Sequence, residues 1–214
     1  METLERRGRL ITIEGVEGAG KTTVAAFLRD SLAKETGREV ILTAEPGGEP
    51  VANRIRKIVL DSSAPISSKT ELFLILASRA QLVSAVIQPA LENGTWVISD
   101  RFTDSTLAYQ GFGRGFDVKW LRGLNDFAAG GLRPDLTILL DVPVEVGLAR
   151  QGIRDRIGGE ALAFHQKVRE GFLAIASEES ERTVVLDATS ELAEVLNRAL
   201  SACGRLFTPR RANP

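Results

Sequence analysis

Gly15-Val16-Glu17-Gly18-Ala19-Gly20-Lys21-Thr22-Thr23 is the stretch that decides the fold. Gly15, Gly20, Lys21 and Thr22 meet the spacing G-x-x-x-x-G-K-[ST]. The alternating apolar run Leu10-Ile11-Thr12-Ile13-Glu14 precedes it, and Val24, Phe27, Leu28 and Leu32 follow at helical spacing. The context is therefore strand, loop, helix. Glycines let the backbone curl so that successive N–H groups converge on an anion at a helix N-terminus. All nine residues, Gly15 through Thr23, are candidates for holding nucleotide phosphates. Lys21 is placed to reach the outer phosphates, and the Thr22 hydroxyl to hold Mg²⁺.

The chain of 214 residues suits one substantial core with a small mobile insert. Its 27 basic and 28 acidic residues nearly cancel, which gives no general attraction to nucleic acid or anionic membrane. Cys203 is the only cysteine, so no internal disulfide forms, as suits a reducing, cytoplasmic setting. No uninterrupted apolar stretch of membrane-spanning length is visible, and Met1–Arg9 lacks the apolar core of a signal peptide.

Outward from the loop, strands are expected at 10–14, 40–43, 96–98, 136–140 and 183–186. Helices are expected at 21–35, from Pro50, and at 70–91, 118–129, 143–151, 161–177 and 190–202. The helix over 70–91 has apolar residues on more than one face and should be covered from several sides, with Pro89 kinking its last turn. Thr103–Gly115, polar and glycine-containing, reads as rim rather than as a regular element. Residues 1–8 and 204–214 read as loose ends.

Strands alternating with helices imply a five-stranded parallel sheet with helices on both faces, an α/β single domain carrying a short lid at about 150–160. Ligands gather at the C-terminal strand ends of such sheets. That collects Glu14–Thr22, Glu45–Gly48, Asp100–Arg101 and Asp141 on one rim. Asp100 is a candidate carboxylate for Mg²⁺, and Arg101 a rigid fork for a phosphate. Arg150, Arg154 and Arg156 either close over a transferring phosphoryl group or form a solvated basic loop. His165, beside Phe164 and Val168, reads as helix packing. No hydrolytic triad and no zinc spacing is present. Transfer to an acceptor that is itself a phosphate needs positioning and charge neutralisation more than a general base.

Over about residues 10–200 the chain resembles the thymidylate kinase family. The loop GVEGAGKTT has Glu17 at the family's carboxylate position, and Glu45-Pro46-Gly47-Gly48 is similar to its EPGG turn. Thr70-Glu71-Leu72 and Ala77-Ser78-Arg79-Ala80-Gln81 resemble its third helix. Asp100-Arg101-Phe102-Thr103-Asp104-Ser105-Thr106-Leu107-Ala108-Tyr109-Gln110-Gly111 resembles the DRY-x-x-S-x-x-AYQG run, the most specific of these motifs. The resemblance implies a P-loop kinase fold and transfer of the ATP γ-phosphate to dTMP, with Mg²⁺ as cofactor and a homodimer as assembly. It implies that Arg101, helped by Arg56, grips the acceptor phosphate. Ile75, Arg79, Ser105, Thr106 and Gln110 would line the thymine–deoxyribose pocket. Lys21, Arg101, Glu17 and a lid arginine, Arg154 before Arg150, would be catalytic.

Three departures from the family pattern stand out. Ile75 replaces the usual aromatic residue four before Arg79, Ala44 replaces an arginine before the EPGG turn, and the lid is short. Ile75 and Ala44 motivate two rival functions, a kinase for another nucleoside monophosphate and a nucleotide-binding protein without transferase activity.

Overall fold

The structure is a computed structural model that describes residues 7–63, 65–151 and 156–207. Five parallel strands form one sheet in the order β2-β3-β1-β4-β5. They are β1 (Leu10–Glu14), β2 (Val40–Ala44), β3 (Trp96–Asp100), β4 (Leu136–Asp141) and β5 (Thr183–Asp187). The central strand β1 is buried along its whole length. A parallel strand covered on both faces must be apolar nearly throughout. Leu10 joins Leu82, Ile87 and Leu91 on one side, and Ile11 joins Val24, Leu28 and Ala199 on the other. The one polar interior position, Thr12, is satisfied by the Thr137 hydroxyl at 2.8 Å.

Helix α1 (Lys21–Thr36) buries Val24, Ala25, Leu28 and Leu32 and ends at Gly37 in the left-handed conformation, as its sequence predicts. Helix α2 (Pro50–Leu60) starts with Pro50 at its first position and the Glu49 carboxylate capping Ala52 N–H. Helix α3 (Ser68–Leu82) passes through a π-helical turn, Val83–Ile87, into α4 (Gln88–Glu92). The irregularity falls one turn before Pro89, where the Gln88 amide reaches back to the Val83 carbonyl. Its outer side, with Phe73 57% exposed and Ala77 and Ala80 also open, is uncovered, contrary to the expectation of burial from several sides.

The combined run Ser68–Glu92 is 25 residues long, with a mean hydropathy of 1.5 over its most apolar window, enough by length and composition to cross a bilayer. The expectation concerned an uninterrupted apolar stretch, and charged residues do break this run. Glu71 and Arg79 interrupt the apolar run in sequence, but one continuous helix carries it past them. Here α3 packs between α2 and α6 (Val118–Ala128).

Thr103–Gly113 is also helical, as α5 (Thr103–Thr106) continuing into a π segment, Leu107–Gly113, that packs on α8 (Leu162–Glu178). Its glycines disguised this in sequence. Helix α7 (Val144–Arg150) leads to residues 150–160, the segment expected as a lid, and α9 (Leu192–Cys203) covers α1. The two ends are less loose than expected. Gly8 is buried and donates its amide to Leu91 O at 2.8 Å, and Phe207 stacks on Trp96 with centroids 5.5 Å apart. The expectations for residues 1–6 and 208–214 fall outside the described residues.

The strand order sets the position of the site. The chain leaves β1 toward β2 and leaves β3 toward β4, in opposite directions across the sheet. Such a switch opens a crevice at the strand ends. β1 and β3 are adjacent there, with Ile13 in register with Asp100. The Arg101 amide closes the junction on Ile13 O at 2.9 Å.

Candidate active site

The loop after β1 curls as its glycines allow. Gly20 opens α1 at φ 92°, and a side chain there would meet no atom within 4 Å, so the space above the helix N-terminus is open. Gly18 is fixed by packing instead. Its Cβ would lie 1.9 Å from Gly147 O of α7. Lys21 folds back over the loop and donates to Val16 O at 2.7 Å. Burial, and the nearby charge of Arg101, bring its ammonium down to about 8. It is therefore mostly charged at neutral pH. Val16 and Ala19 are buried beneath the crest, and Thr22 and Thr23 are exposed on α1.

The Thr22 hydroxyl donates to Asp100 Oδ2 at 2.7 Å, which brings together the two residues expected to hold Mg²⁺. One hydroxyl and one carboxylate fit that ion, which takes few protein ligands and completes its shell with phosphate oxygens and water. No cluster of three or more His, Cys, Asp or Glu side chains suited to a metal occurs among the described residues.

Arg101 has φ 72°, the only positive φ at a non-glycine among the described residues. That strained conformation turns its side chain back over the loop. Its guanidinium donates to Gly15 O at 3.1 Å and to Glu17 Oε1 at 3.1 Å, and lies 5.0 Å from the centre of the Tyr109 ring. Burial works against its charge, but Tyr109, Glu17, Asp100 and Glu14 more than compensate, so it stays firmly protonated. Glu17 is also buried. Burial opposes its ionisation, yet His165, Arg101, Lys21 and the Tyr109 hydroxyl together hold its carboxyl well below the usual range. Tyr109 Oη donates to Glu17 Oε1 at 2.5 Å.

The crevice is a cleft of about 600 Å³, and Glu17, Gly18, Lys21, Thr22, Asp100 and Arg101 form one end. Arg56, Ile75, Arg79, Ser105, Thr106 and Gln110, all expected at the substrate side, line the same cleft. Arg56 donates to Pro46 O at 2.7 Å, across the turn that follows the cis Glu45–Pro46 bond. Ser105 donates to Glu14 Oε2 at 2.6 Å. Phe73, two residues before Ile75, is exposed and does not line the cleft.

Arg79 is only 1% exposed. It pairs with Glu45 at 2.6 Å and donates to Thr106, Asn125 and Phe102 O. It is thus a buried brace that joins the EPGG turn, α3 and α5, with one edge on the cleft. Gln110 Nε2 donates to Glu71 at 2.7 Å. A carboxylate only accepts, so this bond fixes the amide orientation and leaves Oε1 as an acceptor with no hydrogen-bond partner.

The remaining candidates fare differently. Asp141 ends β4 on the rim, but Arg169 holds it in a bidentate pair at 2.7 and 2.8 Å and it does not line the cleft. Arg156 is no free phosphate cation. It pairs with Glu71 at 2.6 Å and donates to Val59 O at 2.8 Å. Arg150 donates to Ala188 O at 3.0 Å. Arg154 lies outside the described residues. His165, read as helix packing, is indeed buried, but its Nδ1 lies 3.1 Å from Glu17 Oε2.

The contacts of Glu71, Arg114 and His165 at the site were not visible in the sequence. Glu71 is buried and gathers Gln110, Arg114 and Arg156, while Arg114 also pairs with Glu160 at 2.6 Å. The signal for Glu71 was a glutamate early in a largely apolar helix.

A parallel sheet whose first strand feeds this phosphate loop, beside a strand ending in Asp100-Arg101, defines a P-loop phosphotransferase. Comparison with known proteins narrows the class. The family profile described as thymidylate kinase matches residues 13–199. A thymidylate kinase of Desulfovibrio desulfuricans is 49% identical over 203 residues, spanning 90% of this chain and 93% of its own. One of Pseudomonas fluorescens is 51% identical over 192 residues, spanning 88% and 91%. One of Geobacter sulfurreducens is 51% identical over 190 residues, spanning 84% and 89%. The chain belongs to the thymidylate kinase family.

Proposed function

We propose that the protein transfers the γ-phosphoryl group of ATP to dTMP, giving dTDP and ADP. The observation that carries this is that Lys21 and Arg101 face one cleft from adjacent strand ends. The bond between the γ-phosphorus and the β–γ bridging oxygen breaks as a bond to an oxygen of the acceptor phosphate forms. Both partners are anions, so catalysis consists of holding them in line and neutralising charge.

Gly15 through Thr23 cradle the donor phosphates, and Lys21 follows the charge that moves onto the leaving oxygen. Arg101, with Arg56, holds the acceptor phosphate. Glu17 sets the angle of the Arg101 fork. Thr22 and Asp100 would hold Mg²⁺, which when bound neutralises the donor phosphates. On the family resemblance Arg154 is the lid cation; Arg150 and Arg156 already have backbone and carboxylate partners.

The unpaired Gln110 Oε1 suits the N3–H donor of thymine and rejects the N3 acceptor of cytosine. Ile75 gives the base an apolar wall without stacking. The open outer face of α3 around Phe73, with Val51 and Ile58 exposed on neighbouring α2, supports a homodimer through these helices.

A coupled assay for ADP tests the reading. Turnover of Mg-ATP should depend on dTMP, and dTMP should rank first against dUMP, UMP, CMP and dGMP. Absence of stimulation by dTMP in folded protein would refute it.

A further inference from the structure

The Glu17 cluster holds one further contact, with His165. Glu17 Oε1 takes both the Tyr109 hydroxyl and the Arg101 guanidinium. Oε2 is buried and has no other hydrogen-bond donor. Nδ1 of His165 lies 3.1 Å from it, outside good hydrogen-bond alignment. His165 is fully buried, edge-on to the Phe164 ring with centroids 5.4 Å apart, and neither of its nitrogens has another hydrogen-bond partner. A buried carboxylate oxygen and a buried imidazole nitrogen, each lacking any other partner, leave one arrangement that satisfies both. Nδ1 must carry a proton and give it to Oε2.

The position of His165 in the fold adds to this. It sits in the first turn of α8, shortly after the lid residues that Arg114 and Glu71 hold. We infer that His165 is a positioning residue. It fixes the second oxygen of Glu17 so that Oε1 faces Arg101, and it thereby ties the entry of α8 to the acceptor-phosphate grip. The inference rests on Arg101 acting at the acceptor side, but its first test does not.

Because His165 is the only histidine, its ring nitrogens give an unambiguous signature in a proton–nitrogen correlation spectrum of the untagged chain. Nδ1 should be protonated, and Glu17→Gln should shift its resonance. An unprotonated Nδ1, or a resonance indifferent to Glu17→Gln, overturns the contact whether or not the protein turns over dTMP.

The second test is kinetic. His165→Asn retains an N–H near Nδ1, whereas His165→Gln moves it toward Nε2. His165→Gln should lower kcat/KM for dTMP about tenfold, with KM for ATP within about twofold and His165→Asn close to the wild type. Equal loss in both variants, or loss matched on the ATP side, marks a merely structural histidine and overturns the inference. A wild type inert toward dTMP would instead refute the function proposed above.

Discussion

The phosphate-loop region, with Lys21 and the neighbouring Arg101, and residues 150–160, expected as a lid, both combine glycine with cationic side chains, yet they use charge differently. At the loop, Lys21 and Arg101 point their cations over backbone carbonyls of one short turn and face an open cleft. At the lid, Arg156 is committed to Glu71 and Val59 O, and Glu160 to Arg114. The first region presents its cations to the open cleft, even where Arg101 also pairs with Glu17, while the second uses them to hold a segment in place. Cations over a site contribute through the transition state, and cations in a latch through stability and closure.

Replacement on the two sides should therefore fail in different ways. The largest effect is expected from Lys21→Met. It should lower kcat by about 10³-fold, or about 4 kcal/mol of barrier, with little change in melting temperature. A comparable loss of melting stability would show that Lys21 also serves as structural support and would blur the contrast.

Next comes Arg79→Met, which leaves Glu45 unpaired in the interior. Stripping one partner from a buried pair costs about 3 kcal/mol or more, so thermal unfolding should come about 10 °C earlier. Calorimetry decides this, and an unchanged transition would mean that the brace is dispensable.

Glu14 should give the floor of the site a pH signature. Burial, then the charge of Asp104, push its carboxyl up to about 7 from an ordinary 4.5. Between those values the native state keeps a proton that the unfolded chain has released. Stability should fall as pH rises through that window, by on the order of 3 kcal/mol in all, and level off above it. In Glu14→Gln, denaturant titrations across the same window should lose that slope.

On the lid side, Arg156→Gln should cost about 1–2 kcal/mol of stability, because Glu71 still keeps Arg114 and Gln110. Its kcat should fall by less than about tenfold. A thousandfold loss would place Arg156 at the phosphoryl group after all. The smallest change is Ile75→Phe, which should tighten dTMP by about 0.5–1.5 kcal/mol through stacking, read as a lower KM.

The contrast also explains what the sequence could reveal. The loop was legible because its chemistry is local. Fixed spacing, a preceding strand and a following helix all lie within one short segment. Thr22 and Asp100 could be paired in advance because strand ends converge wherever parallel sheets switch direction.

The latch was not legible, because Glu71 meets Arg156 only through the path of the whole chain, and no spacing rule joins them. His165 was rightly read as a packed helix position, but its contact with Glu17 was hidden for the same reason. Its apolar neighbours on α8 announce a core position and say nothing of the carboxylate across from it. Thr103–Gly113 hid its helix because glycine lowers helix propensity, while packing against α8 overrides it.

The central claim is that the loop and the Asp100-Arg101 strand end hold two phosphate groups tip to tip. Titration calorimetry with adenosine and thymidine joined through five phosphates tests it most directly. The linked molecule should bind at least about 100-fold more tightly than ATP alone, and both Lys21→Met and Arg101→Ala should abolish that gain. Affinity no better than that of ATP, or a gain that survives in Arg101→Ala, would contradict it.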